Sequence, residues 1–178
     1  ELAVKIAPVY FVPGNHEAMV KTEYRRALYD RMHACGVIFM IDRSVELTRE
    51  EAAITLTGLE SIRKADYFAL KQISDAQTDF VVLLEHNPTD AKAFLQSDAD
   101  LTLTGHTHGG QFRFPLIGGL YAPDQGILPE YDGGAFYDAG HMLIINRGVG
   151  NSGFPFRVGN RPEIVTVTLH RMEGGETT

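Results

Sequence analysis

Short apolar runs that stop at turn residues mark out the chain, and stretches of helical spacing separate them. Pro8-Val9-Tyr10-Phe11-Val12 ends at Pro13-Gly14, which predicts a buried strand closing in a turn. From Glu17 to Ala34, Met19 or Val20, Tyr24, Leu28 and Met32 recur at helical spacing and Gly36 follows as a stop signal, so a helix is expected there. Val37 to Ile41 and Ala52 to Leu59 are the next apolar runs. The polar bend at Arg49-Glu50-Glu51 predicts a hairpin-like turn between two strands in the region Val45 to Leu59. Asp66 to Gln77 reads as a helix, Phe80 to Leu84 as a fully buried strand, and Pro88 to Gln96 as a helix with proline in its first turn. Leu101 to Thr104, His141 to Ile145 and Glu163 to Leu169 complete the expected strands. Strands alternating with helices indicate an α/β fold.

The turns after the strands are more informative than the strands themselves. Gly14-Asn15-His16-Glu17, Glu85-His86-Asn87-Pro88 and Gly105-His106-Thr107-His108 come directly after three of them, and hold four of the seven histidines. In an open α/β sheet, ligands bind outside the carboxyl ends of the strands. These turns therefore offer imidazoles and an amide to what would be one crevice. Imidazole nitrogen and carboxamide oxygen suit divalent transition metals, and His-X-His can direct two nitrogens to one ion or to two neighbours.

Composition narrows the class. At 178 residues, 44% hydrophobic and 22% charged, the chain is an ordinary globular domain, expected to be a single one spanning 1–178. Thirteen of the 18 glycines lie between Gly105 and Gly159, so the second half is rich in turns. A net charge of −7 argues against nucleic acid as a broad-surface ligand and against a general grip on anionic membranes. The lone Cys35 forbids an internal disulfide. No apolar run reaches the length of a membrane span and no targeting signal is read, so a cytoplasmic or membrane-associated protein is expected. The chain opens at Glu1 without methionine, and we expect it to start inside a longer protein.

The turn motifs resemble those of the calcineurin-like metallophosphoesterase superfamily, whose order is Asp-X-His, Gly-Asp-X-X-Asp, Gly-Asn-His-(Asp/Glu), a lone His, and Gly-His-X-His. The last three are present as Gly14-Asn15-His16-Glu17, His86 and Gly105-His106-Thr107-His108. Gly109-Gly110-Gln111, Asn146-Arg147-Gly148-Val149-Gly150-Asn151 and Gly159-Asn160-Arg161-Pro162-Glu163-Ile164 are similar to a bacterial, often membrane-anchored phosphodiesterase branch, some members of which act on lipid-linked pyrophosphates. The resemblance implies a layered α/β-β/α sandwich, two sheets packed together with helices outside. It also implies metal-dependent hydrolysis of a phosphomonoester, phosphodiester or pyrophosphate by a hydroxide activated by two metals. Asn15, His86 and His106 would ligate one ion and His108 the other, while His16 would act as general acid or transition-state stabiliser, oriented by Glu17. Two divalent ions, manganese, iron or zinc, would serve the complete domain. The metals would supply the positive field that lets an acidic protein take a phosphate ester.

The first two motifs should precede Gly14, yet Glu1 to Pro13 contains no Asp or His. We therefore expect this chain to be the C-terminal part of such a domain, with its first strands absent, holding one ion by itself. Membrane proximity is expected through the absent segment. The alternatives are that the missing motifs lie on another chain, or that this is a non-catalytic remnant acting as a binding or interaction module. A metallo-β-lactamase-type site is a poor fit, because Gly109-Gly110 stand where its Asp-His should follow His108.

Each residue also has a plainer reading. Asn15-His16 can be a turn asparagine beside a surface histidine, His106 and His108 exposed groups of a glycine-rich hairpin, and His86 a satisfied buried group. Glu17 can be a helix-start acid favoured by the macrodipole. His33 and Cys35 read as surface and core residues, His141 and His170 as strand positions, and Glu85, Asp98 and Asp100 as loop or strand-end acids. Arg147 is a candidate for a substrate phosphate or for a structural salt bridge. The Tyr121 to Tyr137 segment is a lip over the site or an ordinary structured loop.

Overall fold

The computed structural model describes residues 2–60, 78–151 and 153–171. The helix expected over Asp66 to Gln77 lies outside the described residues.

β1 (Val9–Phe11) and β2 (Val37–Phe39) pair in parallel, Val9 opposite Val37 and Phe11 opposite Phe39. Parallel neighbours need a crossover, which α1 (Asn15–Met19) and α2 (Thr22–Ala34) supply. The one helix expected over Glu17 to Ala34 is thus two, because Val20 is extended at ψ 141° and α2 starts afresh after Lys21. The expected buried face shifts with the break. Tyr24 and Leu28 are exposed, while Tyr29 and His33, one turn apart, meet the strand pair. Tyr29 packs edge-on to Phe11 and Phe39 at 6.1 and 4.9 Å, and His33 stacks on Phe39 at 4.5 Å. Cys35 is half-buried rather than a core residue.

β3 (Arg43–Arg49) and β4 (Ala52–Gly58) form the expected hairpin, with Glu50 at φ 56° in its turn. β5 (Val81–Leu84) follows, then a 3-10 turn over Pro88–Asp90 leading into α3 (Ala91–Leu95), and β6 (Leu101–Thr104). The glycine-rich half opens with four two-residue strands that the apolar pattern does not foretell. These are β7 (Arg113–Phe114) with β8 (Gly118–Gly119), and β9 (Tyr121–Ala122) with β10 (Gly126–Ile127). β11 (Gly134–Asp138) and β12 (His141–Ile145) complete a six-stranded sheet of order β11-β12-β6-β5-β4-β3. Its four inner strands are parallel and its two edge strands antiparallel.

Alternation along those inner strands builds two cores, since successive side chains leave opposite faces. Ile54, Leu56, Val82, Leu84, Leu101, Leu103, Met142 and Ile144 close on Tyr10, Val12, Ile38 and Met40 of the β1–β2 layer. On the other face, Val81, Leu83, Leu143 and Ile145 take Ala91, Phe94 and Leu95 of α3. The stack α2, β1–β2, six-stranded sheet, α3 is the α/β arrangement of two packed sheets with helices outside. Where the sheets touch, the end of β4 crosses the chain at Met40 so closely that a Cβ on Gly58 would lie 2.2 Å from the Met40 carbonyl oxygen.

The strand expected over Glu163 to Leu169 is not formed. The segment alternates but makes no strand pairing among the described residues, and Ile164, Val167 and Leu169 are exposed. Its Glu163 N–H bonds instead to the Gly148 carbonyl at 3.0 Å.

Candidate metal centre

The carboxyl ends of β1, β5 and β6 bring three donor atoms together. His86 Nε2 and His106 Nδ1 each lie 3.2 Å from Asn15 Oδ1 and 3.2 Å from each other. The sheet ladder sets this spacing by continuing past its strands: Gly105 N–H donates to the His86 carbonyl at 3.0 Å, so the two turns stay in register. The rings meet edge to face at 5.0 Å. Asn15 arrives from the opposite layer at the start of α1. Gly14, its neighbour, lies under the His86 imidazole, where a Cβ would sit 2.8 Å from Nε2. The glycine is needed for close approach rather than for an unusual backbone.

An edge of 3.2 Å suits neighbouring ligands of one ion whose bonds are about 2.0–2.2 Å. The protonation chemistry suits it as well. Burial, followed by the nearness of His106, lowers the His86 pKa to about 4, and burial also lowers those of His106 and His108. Neutral imidazoles keep a lone pair for a cation. Asn15 Oδ1 is an acceptor, so without a cation the triangle coheres only through a shared proton on one ring nitrogen. The residues fit a divalent cation. Among the described residues no three His, Cys, Asp or Glu side chains converge, so this cluster is two imidazoles and a carboxamide with no carboxylate of its own.

The other expected site residues are placed differently. His16 follows Asn15 on the exposed side of α1, near enough for its charge to act on His86, His106 and His108. Glu17 accepts from the Gly14 N–H at 2.7 Å and so caps the first turn of α1, holding the Asn15-His16 pair in place. His108 stands outside the triangle, its Nδ1 3.4 Å from the Arg157 guanidinium, but lines the same cleft of about 360 Å³ as His86 and His106. His106 and His108 both have positive φ, at 65° and 50°. Such backbone is uncommon outside glycine and collects at functional sites.

The glycine-rich motifs brace this turn. Asn160 is buried and donates to the His108 and Gln111 carbonyls at 2.6 and 3.2 Å. Gln111 donates in turn to the Phe154 and Phe156 carbonyls at 2.7 and 3.0 Å. Arg147 is ion-paired with Glu163 and, with it, lines the cleft beside His86, His106 and His108. The Tyr121 to Tyr137 segment is tied in through Thr107, whose hydroxyl donates to the Asp132 carbonyl at 2.7 Å. It also delivers Asp124, which the sequence reading missed: Asp124 Oδ2 lies 3.1 Å from His106 Nε2. Its only sequence signal is a turn-forming Ala122-Pro123-Asp124 in a loop already suspected of facing the site.

Comparison with known proteins bears on what such a cluster serves. The family profile described as calcineurin-like phosphoesterase matches residues 1–110. The chain is 35% identical to an "Uncharacterized metallophosphoesterase YkuE" of Bacillus subtilis strain 168, the match covering 88% of this chain and 54% of that protein. It is 29% identical to "Phosphodiesterase YaeI" of Escherichia coli K12, over 92% of this chain and 58% of that protein. It is 36% identical to a Bos taurus "Transmembrane protein with metallophosphoesterase domain", over 90% of this chain and 38% of that protein. The chain thus spans somewhat more than half the length of the bacterial relatives. No solved structure matches it.

Proposed function

Since the chain belongs to the calcineurin-like phosphoesterase family, we propose that it carries the metal-binding half of a site that hydrolyses a phosphomonoester, phosphodiester or pyrophosphate. The convergence of Asn15 Oδ1, His86 Nε2 and His106 Nδ1 at 3.2 Å is the observation that supports this reading. These three would hold one divalent ion, manganese, iron or zinc, and His108 would contribute to a second. The ions, when bound, supply positive charge to the phosphoryl oxygens and acidify an attacking water.

The chain's own residues do the rest. Neutral His86 and His106 present lone pairs, and the buried ladder fixes their spacing. His16, exposed beside Asn15, would give a proton to the leaving oxygen or stabilise charge on the phosphoryl group. Glu17 acts on it through the backbone, by capping the turn that carries it. The open cleft beside His108 and Arg147 admits an ester from solvent.

Metal analysis and hydrolysis of a bis-aryl phosphate, on this chain and on the longest natural form, test the reading. We expect His106→Ala to lose the ion and at least a hundredfold of the hydrolysis by the long form. The reading fails if the long form binds no metal and His106→Ala changes nothing.

The domain is further proposed to work close to a membrane. Among the described residues no helix is long and apolar enough to cross one, but Phe114, Leu116 and Ile117 are exposed on the β7–β8 hairpin, and the bovine relative is named a transmembrane protein. Co-sedimentation with phosphatidylcholine vesicles should fall when Leu116 and Ile117 are both changed to Ser. No binding by the starting chain would remove this part of the proposal.

A further inference from the structure

We infer that Asp124 is a positioning residue for the cation site, holding His106 in the tautomer that turns its Nδ1 lone pair toward Asn15 and His86. The inference rests on the proposed metal site and deepens it.

The two ring nitrogens of His106 face different partners. Nε2 lies 3.1 Å from Asp124 Oδ2, and Nδ1 faces the triangle. An ionised carboxylate only accepts hydrogen bonds, so Nε2 must carry the ring proton and Nδ1 the lone pair. Remove the carboxylate and, among the described residues, no other partner at Nε2 selects that tautomer. The proton is then free to move to Nδ1, where it would meet a cation.

The carboxylate is itself held. Asn87, next to His86, donates Nδ2 to the same Asp124 oxygen at 3.0 Å. Asn87 is oriented for this because its Oδ1 is taken by the Thr89 N–H and hydroxyl at 3.0 and 2.6 Å. Asp124 sits at φ 63° in the β9–β10 turn, a left-handed position that aspartate tolerates better than most residues. The turn is fixed on either side by fully buried Ala122 and by Gln125, whose side chain bonds both the N–H and the carbonyl of Tyr131. One oxygen on a braced turn therefore links the β5 turn to the β6 turn. Histidine ligands are commonly oriented by such a carboxylate, and losing it lowers metal affinity about 10- to 100-fold.

The test uses this chain in wild-type, Asp124→Ala and Asp124→Asn forms. Two quantities are read: Mn²⁺ affinity by titration calorimetry, and the His106 tautomer from long-range proton–nitrogen NMR of the metal-free protein. We expect Asp124→Ala to bind Mn²⁺ about 10- to 100-fold more weakly and to lose the preference for a proton on Nε2. Asp124→Asn, whose carbonyl can take the same hydrogen bond, should keep that preference. The inference is overturned if wild-type His106 carries its proton on Nδ1, or if wild type and Asp124→Ala bind Mn²⁺ equally well. If wild type binds no Mn²⁺ while the tautomer follows the substitutions, the positioning role stands and the proposal that this chain holds an ion by itself fails.

Discussion

A single methyl group at position 14 would test how closely the two turns of the site are matched. Gly14 has φ −104°, which any residue adopts, yet a Cβ there would lie within 2.9 Å of three atoms of the His86 ring. Gly14→Ala should therefore displace His86 and weaken Mn²⁺ binding by about tenfold or more, as for other disturbances of ligand orientation. The urea unfolding midpoint should move little. A wild-type affinity in that variant would mean that His86 is not held where a ligand must be. Asn15, His86 and His106 were legible in the sequence because each directly follows an apolar run, so strand placement and chemistry coincided. Asp124 was not, since an acid in a glycine-rich loop has no periodic neighbours to say where it points. Arg147 was legible only as a pair of possibilities; its partner Glu163 lies 16 positions along the chain, and no local pattern joins them.

At the scale of elements, the strands from Val9 to Ile145 that were expected and the helix after Pro88 were read well, and the helix over Glu17 to Ala34 was not. A strand buried on both faces is a continuous apolar run, which Phe80 to Leu84 displays openly, while Leu101 to Thr104 alternates leucine with threonine. The break at Val20 left no comparable mark, because Met19 or Val20, Tyr24, Leu28 and Met32 keep helical spacing across it. The buried face is decided by the Phe11 and Phe39 rings that Tyr29 meets. Glu163 to Leu169 shows the converse failure: alternation makes a strand only where a neighbour supplies hydrogen bonds. Two substitutions probe the joints between elements. Gly58→Ala forces a methyl against the Met40 backbone rather than a flexible side chain, and should cost roughly 2 kcal/mol in urea unfolding. Asn160→Ala removes two hydrogen bonds to the His106–Gln111 loop, and should cost about 1–3 kcal/mol by leaving carbonyls unpaired. An unchanged midpoint for Asn160→Ala would mean that water replaces it freely.

Across the whole molecule, stability comes from the two faces of one sheet, and Leu83, with no exposed surface, lies at the centre of the α3 side. Leu83→Ala should cost about 3 kcal/mol in chemical unfolding, with Mn²⁺ binding retained at concentrations where the variant remains folded. The layered order was foreseeable from the motifs, whereas the small hairpins between β6 and β11 were not, since two-residue strands have no period to detect. The triangle of donors has a further consequence for the folded chain. Asn15 lies 71 positions from His86 and 91 from His106, yet all three meet. A bound ion is therefore a reversible cross-link between the two sheets, closing loops that span much of the chain. At a hundredfold excess over its dissociation constant it would add about 2.7 kcal/mol to folding. The melting temperature should then climb with added Mn²⁺, fall back with chelator, and stay flat in His106→Ala, making heat a direct reporter of whether the site has closed.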